Sequence, residues 1–200
     1  MKKIFFVRHA ESEANVGSKT QFPHSINITE RGKVQARNLS NKFPLSPDLI
    51  ITTPFVRTMQ TAQYLIDKFP EVPIKTWPLQ EFTFLSPELC KDTTPKDRSP
   101  WVNEYWQKCD PNFIHGDGAE SFNQFSDRIY SCLKGLFLSE NMVIVVFTHG
   151  HVIRVIMQII NRQQTPPKIS MKYYRDEMLK CPIPNVHVFE ANTEGLKQIL

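Results

Sequence analysis

The sequence predicts a three-layer α/β/α sandwich around a mostly parallel sheet, and three observations carry that expectation. Residues 4–7 and 142–147 are continuous apolar runs without polar alternation, the pattern of strands covered on both faces. Segments with helical spacing alternate with the extended ones, as in βαβ units. A stretch over 82–117 breaks this order and reads as an excursion from the core.

In order along the chain, Ile4-Phe5-Phe6-Val7 is a buried strand. After a loop containing Pro23, Thr29 is placed to cap a helix over ERGKVQARNLSNKF, whose inward positions are Val34, Ala36, Leu39 and Phe43. Leu49-Ile50-Ile51 is a second strand. Pro54 suits the first turn of the next helix, which carries Met59, Ala62, Leu65 and Ile66 at helical spacing. Ile74–Trp77 is a short extended piece leading to Leu79-Gln80-Glu81. The excursion over 82–117 holds two of the three tryptophans, shows little periodicity, and predicts one short helix near 100–108. Its aromatic residues (Phe82, Phe84, Trp101, Tyr105, Trp106) read most simply as a packing cluster of their own, with lining of a substrate pocket as the alternative. Phe122, Phe125, Ile129, Leu133 and Leu136 mark a further helix, with Glu120 and Ser121 as start chemistry. Residues 142–147 form the central strand, 150–161 a buried helix, and 181–200 two closing strands. No repeat, linker or second domain is visible, so residues 1–200 read as one domain.

Composition bounds the function. A hydrophobic share of 40% and a charged share of 22% belong to an ordinary soluble globular chain. The net charge of +4 is too mild and too evenly spread for a nucleic-acid binder, yet it suits an anionic small substrate. The apolar run after Lys2-Lys3 is too short for a signal peptide, and no run approaches a membrane span. Cys90, Cys109, Cys132 and Cys181 lie far apart without metal-ligand spacing, and read as reduced thiols of a cytoplasmic protein with no metal and no cofactor.

The chemistry gathers where strands end. Val7 runs into Arg8-His9, and Phe147 into Thr148-His149-Gly150. Carboxyl ends of parallel strands share one edge, where such folds bind ligands. Gly150 would open a helix whose N-terminal amides favour an anion, and Arg57, three residues into its own helix, is aimed at the same edge.

These segments resemble a known family. VRHAESEAN at 7–15 is similar to the RHG-E-S…N opening of the histidine phosphatase superfamily, the phosphoglycerate mutase-like proteins. NITERGKVQA at 27–36, SPDLIITTPFVRTMQTA at 46–62, LQE at 79–81, GDGAES at 116–121 and VFTHGHVIR at 146–154 match further motifs in order. IPNVHVF at 183–189 looks like the closing strand. The resemblance implies the phosphoglycerate mutase-like fold, with 82–117 as an inserted cap. It implies His9 as nucleophile on a phosphoryl group, with Arg8, Arg57 and His149 holding its oxygens. Asn15 matches a phosphate-contacting position, and Glu81 matches the general acid. Neighbouring positive charge is then expected to keep His9 neutral, and its second ring nitrogen to donate to a backbone carbonyl. Ser12 serves either the loop or the substrate. His151 stands where many members have Gly or Asn, within reach of substrate. Ala10 replaces the usual glycine and is tolerable if its φ is negative.

The expected activity is metal-independent hydrolysis of a small phosphomonoester through a phosphohistidine. Two alternatives stay open: a phosphoglycerate mutase, and a non-catalytic phosphate-binding scaffold. Phe82-Thr83-Phe84 stands where mutases have the Arg and Tyr that hold glycerate, which weighs against the first. The expected partner is a phosphorylated small molecule, not nucleic acid or membrane, for a monomer or homodimer.

Overall fold

The computed structural model describes residues 2–162, 166, 168–191 and, as backbone, 196–198. One six-stranded sheet, in the order β3-β2-β4-β1-β5-β6, organises them. Its strands are β1 (Lys3–Arg8), β2 (Leu49–Thr52), β3 (Ile74–Thr76), β4 (Val143–Thr148), β5 (Val188–Ala191) and β6 (Leu196–Gln198). The first four are mutually parallel, while β5 runs antiparallel to both β1 and β6. The closing pair of strands predicted over 181–200 is therefore present, and the sheet is mostly parallel as expected.

Side chains alternate across the sheet, so successive residues feed different layers. Phe5, Val7, Ile50, Val145 and Phe147 pack with Leu39, Ala62 and Leu65 from α1 (Glu30–Lys42) and α2 (Val56–Lys68). Ile4, Phe6, Ile51, Ile144 and Val146 pack on the other face. There they meet α5 (Phe122–Leu138) and α6 (Gly150–Arg162) through Ile129, Leu133, Val152 and Ile156. Two apolar layers around one sheet explain why β1 and β4 show no polar alternation.

Several local expectations are corrected. Val34 and Met59, expected inward, are 55% and 36% exposed, because α1 and α2 turn narrower apolar stripes to the sheet than their sequences offer. Pro54 lies before α2, whose N-cap is Phe55, so Arg57 is the second helical residue rather than the third. The excursion holds two helices, α3 (Pro87–Cys90) and α4 (Pro95–Lys108), and the second begins well before residue 100. Thr94 accepts from the Asp97 amide while the Asp97 carboxylate takes the Thr94 amide. This reciprocal cap fixes the start and carries Pro100 inside the helix. A further helix, α7 (Met171–Lys180), has no counterpart in the sequence reading. Its buried residues are Met171 and Tyr174, too few to mark a period. The aromatic residues are not a separate cluster either. Phe82 stacks on Phe125 at 4.4 Å and Trp106 on Tyr174 at 6.0 Å, which joins the excursion to the α5–α6 layer.

Candidate active site

Strand register brings the two histidines together. Arg8 pairs with Thr148 in the parallel β1–β4 ladder, so His9 and His149 leave the sheet side by side. The His9 amide donates to the Thr148 carbonyl at 2.9 Å, and the rings meet edge to face at 5.3 Å. On the other side, β2 ends at Thr52, and the next residue, Thr53, reaches His149 Nε2 through Oγ1 at 3.0 Å. The His149 ring also meets Phe55 edge to face at 5.3 Å.

His9 is 3% exposed, and its Nδ1–H donates to the Ala10 carbonyl at 2.7 Å. A carbonyl only accepts, so this bond fixes the tautomer and leaves the Nε2 lone pair free. Burial holds the His9 pKa well below its ordinary value. The charges of Arg57 and then Arg8 lower it further, and only the Ala10 carbonyl opposes them. Charge had been expected to keep this ring neutral; desolvation is the larger cause. His149 is likewise held neutral, by burial first and Arg57 second. Ala10 is fully buried, donates its amide to Thr61 Oγ1 at 3.0 Å, and is not among the positive-φ residues. The methyl group therefore introduces no strain.

A cavity of about 340 Å³ opens over these groups, lined by Arg8, His9, Ser12, Asn15, Arg57 and Glu81, and on its far side by Gly150 and His151. His149 lies behind this lining, against His9. Arg57 is nearly buried, with Nη1 donating to the Pro23 carbonyl at 2.6 Å. Burial is the main cause that lowers its pKa to about 10, yet it stays charged at neutral pH. Arg8 donates through Nη1 to the Ile183 carbonyl, while its buried Nε has no partner. His149 Nδ1 is also buried and unpartnered. Arg8 Nε, an orphaned buried donor at the cavity wall with the Arg57 guanidinium lining the same space, is an unmet demand for an anion, since such atoms are otherwise paired.

Glu81 receives the Phe82 amide on Oε1 at 3.1 Å, which holds the carboxylate at the cavity wall. Asn15 Oδ1 accepts from the Ser12 amide and hydroxyl, both at 3.1 Å, so the Ser12 side chain serves the loop. His151 Nδ1 pairs with the Tyr174 hydroxyl, and burial is the main cause that lowers its pKa. Gly150 opens α6 beside Arg8, whose Nε lies 3.5 Å from where a Cβ would sit. Glu120 and Ser121 stay outside the cavity lining. Ser121 caps α5, and Glu120 pairs with Arg128 at 2.6 Å.

Sequence reasoning missed the segment 182–187. Asn185 Nδ2 donates to the His9 carbonyl at 2.8 Å and to Asn15 Oδ1 at 3.2 Å. The Val186 amide bonds the Arg8 carbonyl at 3.1 Å, with φ 55° at Val186 to make the turn. This segment holds Arg8, His9 and Asn15 from behind. The resemblance assigns 183–189 to the closing strand; β5 begins only at Val188, and the residues before it turn back to the site. Among the described residues, no group of three or more His, Cys, Asp or Glu stands close enough to hold a metal ion.

Comparison with known proteins follows the same lines. The model of the histidine phosphatase superfamily (branch 1) matches residues 4–173. The adenosylcobalamin/alpha-ribazole phosphatase of Salmonella typhimurium is 28% identical over 182 residues, covering 88% of this chain and 86% of the relative. Phosphoserine phosphatase 1 of Hydrogenobacter thermophilus is 29% identical over 166 residues, covering 74% of this chain and 71% of its own. The crystal structure of the alpha-ribazole phosphatase from Shigella flexneri superposes with a TM-score of 0.74 at 20% identity, over 99% of this chain and 95% of that one.

Proposed function

The chain belongs to the histidine phosphatase superfamily, and from that premise we propose that it is a metal-independent phosphatase acting through a phosphohistidine on His9. The observation that carries the reading is the His9 ring: buried, neutral, fixed through Nδ1, and lining a cavity with two guanidinium groups.

Arg8 and Arg57 hold the phosphoryl oxygens, Arg8 Nε finds there the partner it otherwise lacks, and His149 backs the His9 ring. His9 Nε2 attacks phosphorus as the bond to the ester oxygen breaks. The ring becomes positively charged as the N–P bond forms, and the Ala10 carbonyl stabilises the Nδ1–H through the step. Glu81, protonated for this half-reaction, gives its proton to the departing oxygen and releases the alcohol. Its carboxylate then takes a proton from water as that oxygen attacks phospho-His9. The N–P bond breaks, the electron pair returns to Nε2, and inorganic phosphate leaves. Asn15 and the Gly150 end of α6 add polar contacts to the phosphoryl group. His151 faces the substrate. Four free thiols suit a reducing compartment, and we place the enzyme in the cytoplasm. No helix among the described residues is long and apolar enough to cross a membrane.

The test is phosphate release from a panel of phosphomonoesters in EDTA, with His9→Ala beside the unchanged chain. Release is expected to survive EDTA and to fall at least about a thousandfold in the variant. An acid-labile phosphoryl label should form on the unchanged chain only. Interconversion of 2- and 3-phosphoglycerate without net release would favour the mutase, and bound phosphate with no turnover the scaffold.

A further inference from the structure

A second cavity, of about 230 Å³, adjoins the first, and Ile26, Arg57, Glu81, Phe82 and Phe84 line both. Arg57 and Glu81 therefore stand at the neck between them. Under the proposed mechanism the ester oxygen lies at Glu81, so whatever the phosphoryl group leaves behind extends through this neck.

Beyond the neck the walls are mainly apolar: Phe55, Leu85, Cys90 and Val102, with the half-buried Phe84 open to the space. Each of the polar side chains beyond the neck, Thr20, Gln21, Thr83 and Arg98, has one partner already. Thr20 Oγ1 accepts from Arg98 at 3.1 Å, Gln21 Nε2 donates to Asp92, and Thr83 Oγ1 donates to the Glu81 carbonyl at 3.4 Å. A polyhydroxylated leaving group entering this lobe would exchange water for few partners, whereas an apolar one is favoured in proportion to its buried area. A dry apolar cavity of about 150 Å³ accepts benzene, so this lobe has room for a ring and a short chain.

We propose that the preferred substrate is a phosphomonoester of an apolar, ring-bearing alcohol, with the apolar part seated between Phe84, Leu85 and Val102 and the ester oxygen at Glu81. This rests on the phosphatase reading and goes beyond it by naming the leaving group's class. The lobe is built mainly by the excursion and the loop over 20–26, with Phe55 from the start of α2, so choice of the alcohol is assigned largely to segments that do not hold the phosphoryl group.

The experiment measures kcat/KM for n-alkyl phosphates from ethyl to hexyl, whose leaving groups differ little in acidity, and for 2-phenylethyl phosphate against glycerol 1-phosphate. The expected result is a rise of about three- to fourfold per methylene until the lobe is filled. 2-Phenylethyl phosphate should exceed glycerol phosphate by at least about thirtyfold. Val102→Trp, which fills the lobe, should lower the hexyl-to-ethyl ratio at least about tenfold. Phe84→Ser, on a half-buried wall, is the second variant should the first fail to fold, and should lower the same ratio. Release from every ester with a flat or falling series overturns this inference and leaves the phosphatase standing. A rising series that a folded variant does not flatten overturns the lobe as its seat. No release from any ester, with no label on His9, overturns the phosphatase reading and this one with it.

Discussion

At the residue scale the decisive property is the charge state of His9. Its pKa in the folded chain lies well below the ordinary value, with burial ahead of Arg57 and Arg8 as cause. A nucleophilic ring must be neutral, and a lowered pKa keeps it so as pH falls. The His9 ring is therefore expected to stay neutral from pH 8 through 6.5 and to take up its proton only below that, in an NMR titration of the ring. A midpoint at 6.5 or above would mean the ring is not desolvated as described. Asn185 belongs to the same scale, as a positioning residue. Asn185→Ala leaves the His9 carbonyl without its donor and frees Asn15, and such a loss costs about 1–3 kcal/mol. The expected outcome is a roughly ten- to hundredfold drop in kcat with KM little changed. It should be rescued in part by Asn185→Gln; a change confined to thermal stability would reduce Asn185 to a structural brace.

At the element scale, the β1–β4 ladder and the cap of α4 do different work. The parallel register sets His9 beside His149, and a slip of one residue would turn every side chain of β1 to the wrong layer. Helix α4 depends on its start, because Pro100 removes one amide from the ladder and crowds the preceding turn. Thr94→Ala removes the side chain that accepts from Asp97 and is expected to lower stability by about 1 kcal/mol in urea unfolding. Because Arg98 and Val102 on this helix line the second lobe, the same variant should lose activity on apolar esters at temperatures where the sheet remains folded. Parallel losses on every ester would show that the excursion does not unfold separately.

At the scale of the whole molecule, two buried histidines and the half-buried His151 couple folding to pH. His9, His149 and His151 all have lowered pKa values in the folded state, with burial first among the causes. The unfolded chain binds their protons near pH 6.5 while the folded chain does not. The stability they allow is thus fully present above pH 6.5 and declines as pH falls from there toward the folded values. Each contributes a slope of up to about 1.4 kcal/mol per pH unit in that window. Thermal unfolding between pH 7.5 and 5.5 should show Tm falling with acidity. Replacement of His151 by a similarly sized apolar residue should make the fall shallower; a Tm independent of pH over this range would contradict the burial of these rings.

Much of this was legible in the chain itself. Continuous apolar runs in β1 and β4, alternation with helices, and the Arg8-His9 and His149 that end those strands determined the sandwich and the edge at which Arg8, His9, Arg57 and His149 meet. Those signals are local, because strand burial and strand-end chemistry are written within a few residues. What only the tertiary structure decided was long-range. Val186 and Asn185 reach back about 176 positions to hold Arg8 and His9, and no periodicity records such a bond. The aromatic residues of the excursion appeared as a cluster of their own, since sequence shows how much apolar surface a segment carries but not what covers it. Packing of Phe82 on Phe125 and of Trp106 on Tyr174 joined them to the core and left Phe84 facing the cavity. Helix α7, with two buried residues, had too little pattern to be seen, yet it carries the Tyr174 hydroxyl that bonds His151. The reaction groups were visible because strands present them in order; the shape of the space around them depended on contacts between segments far apart in sequence.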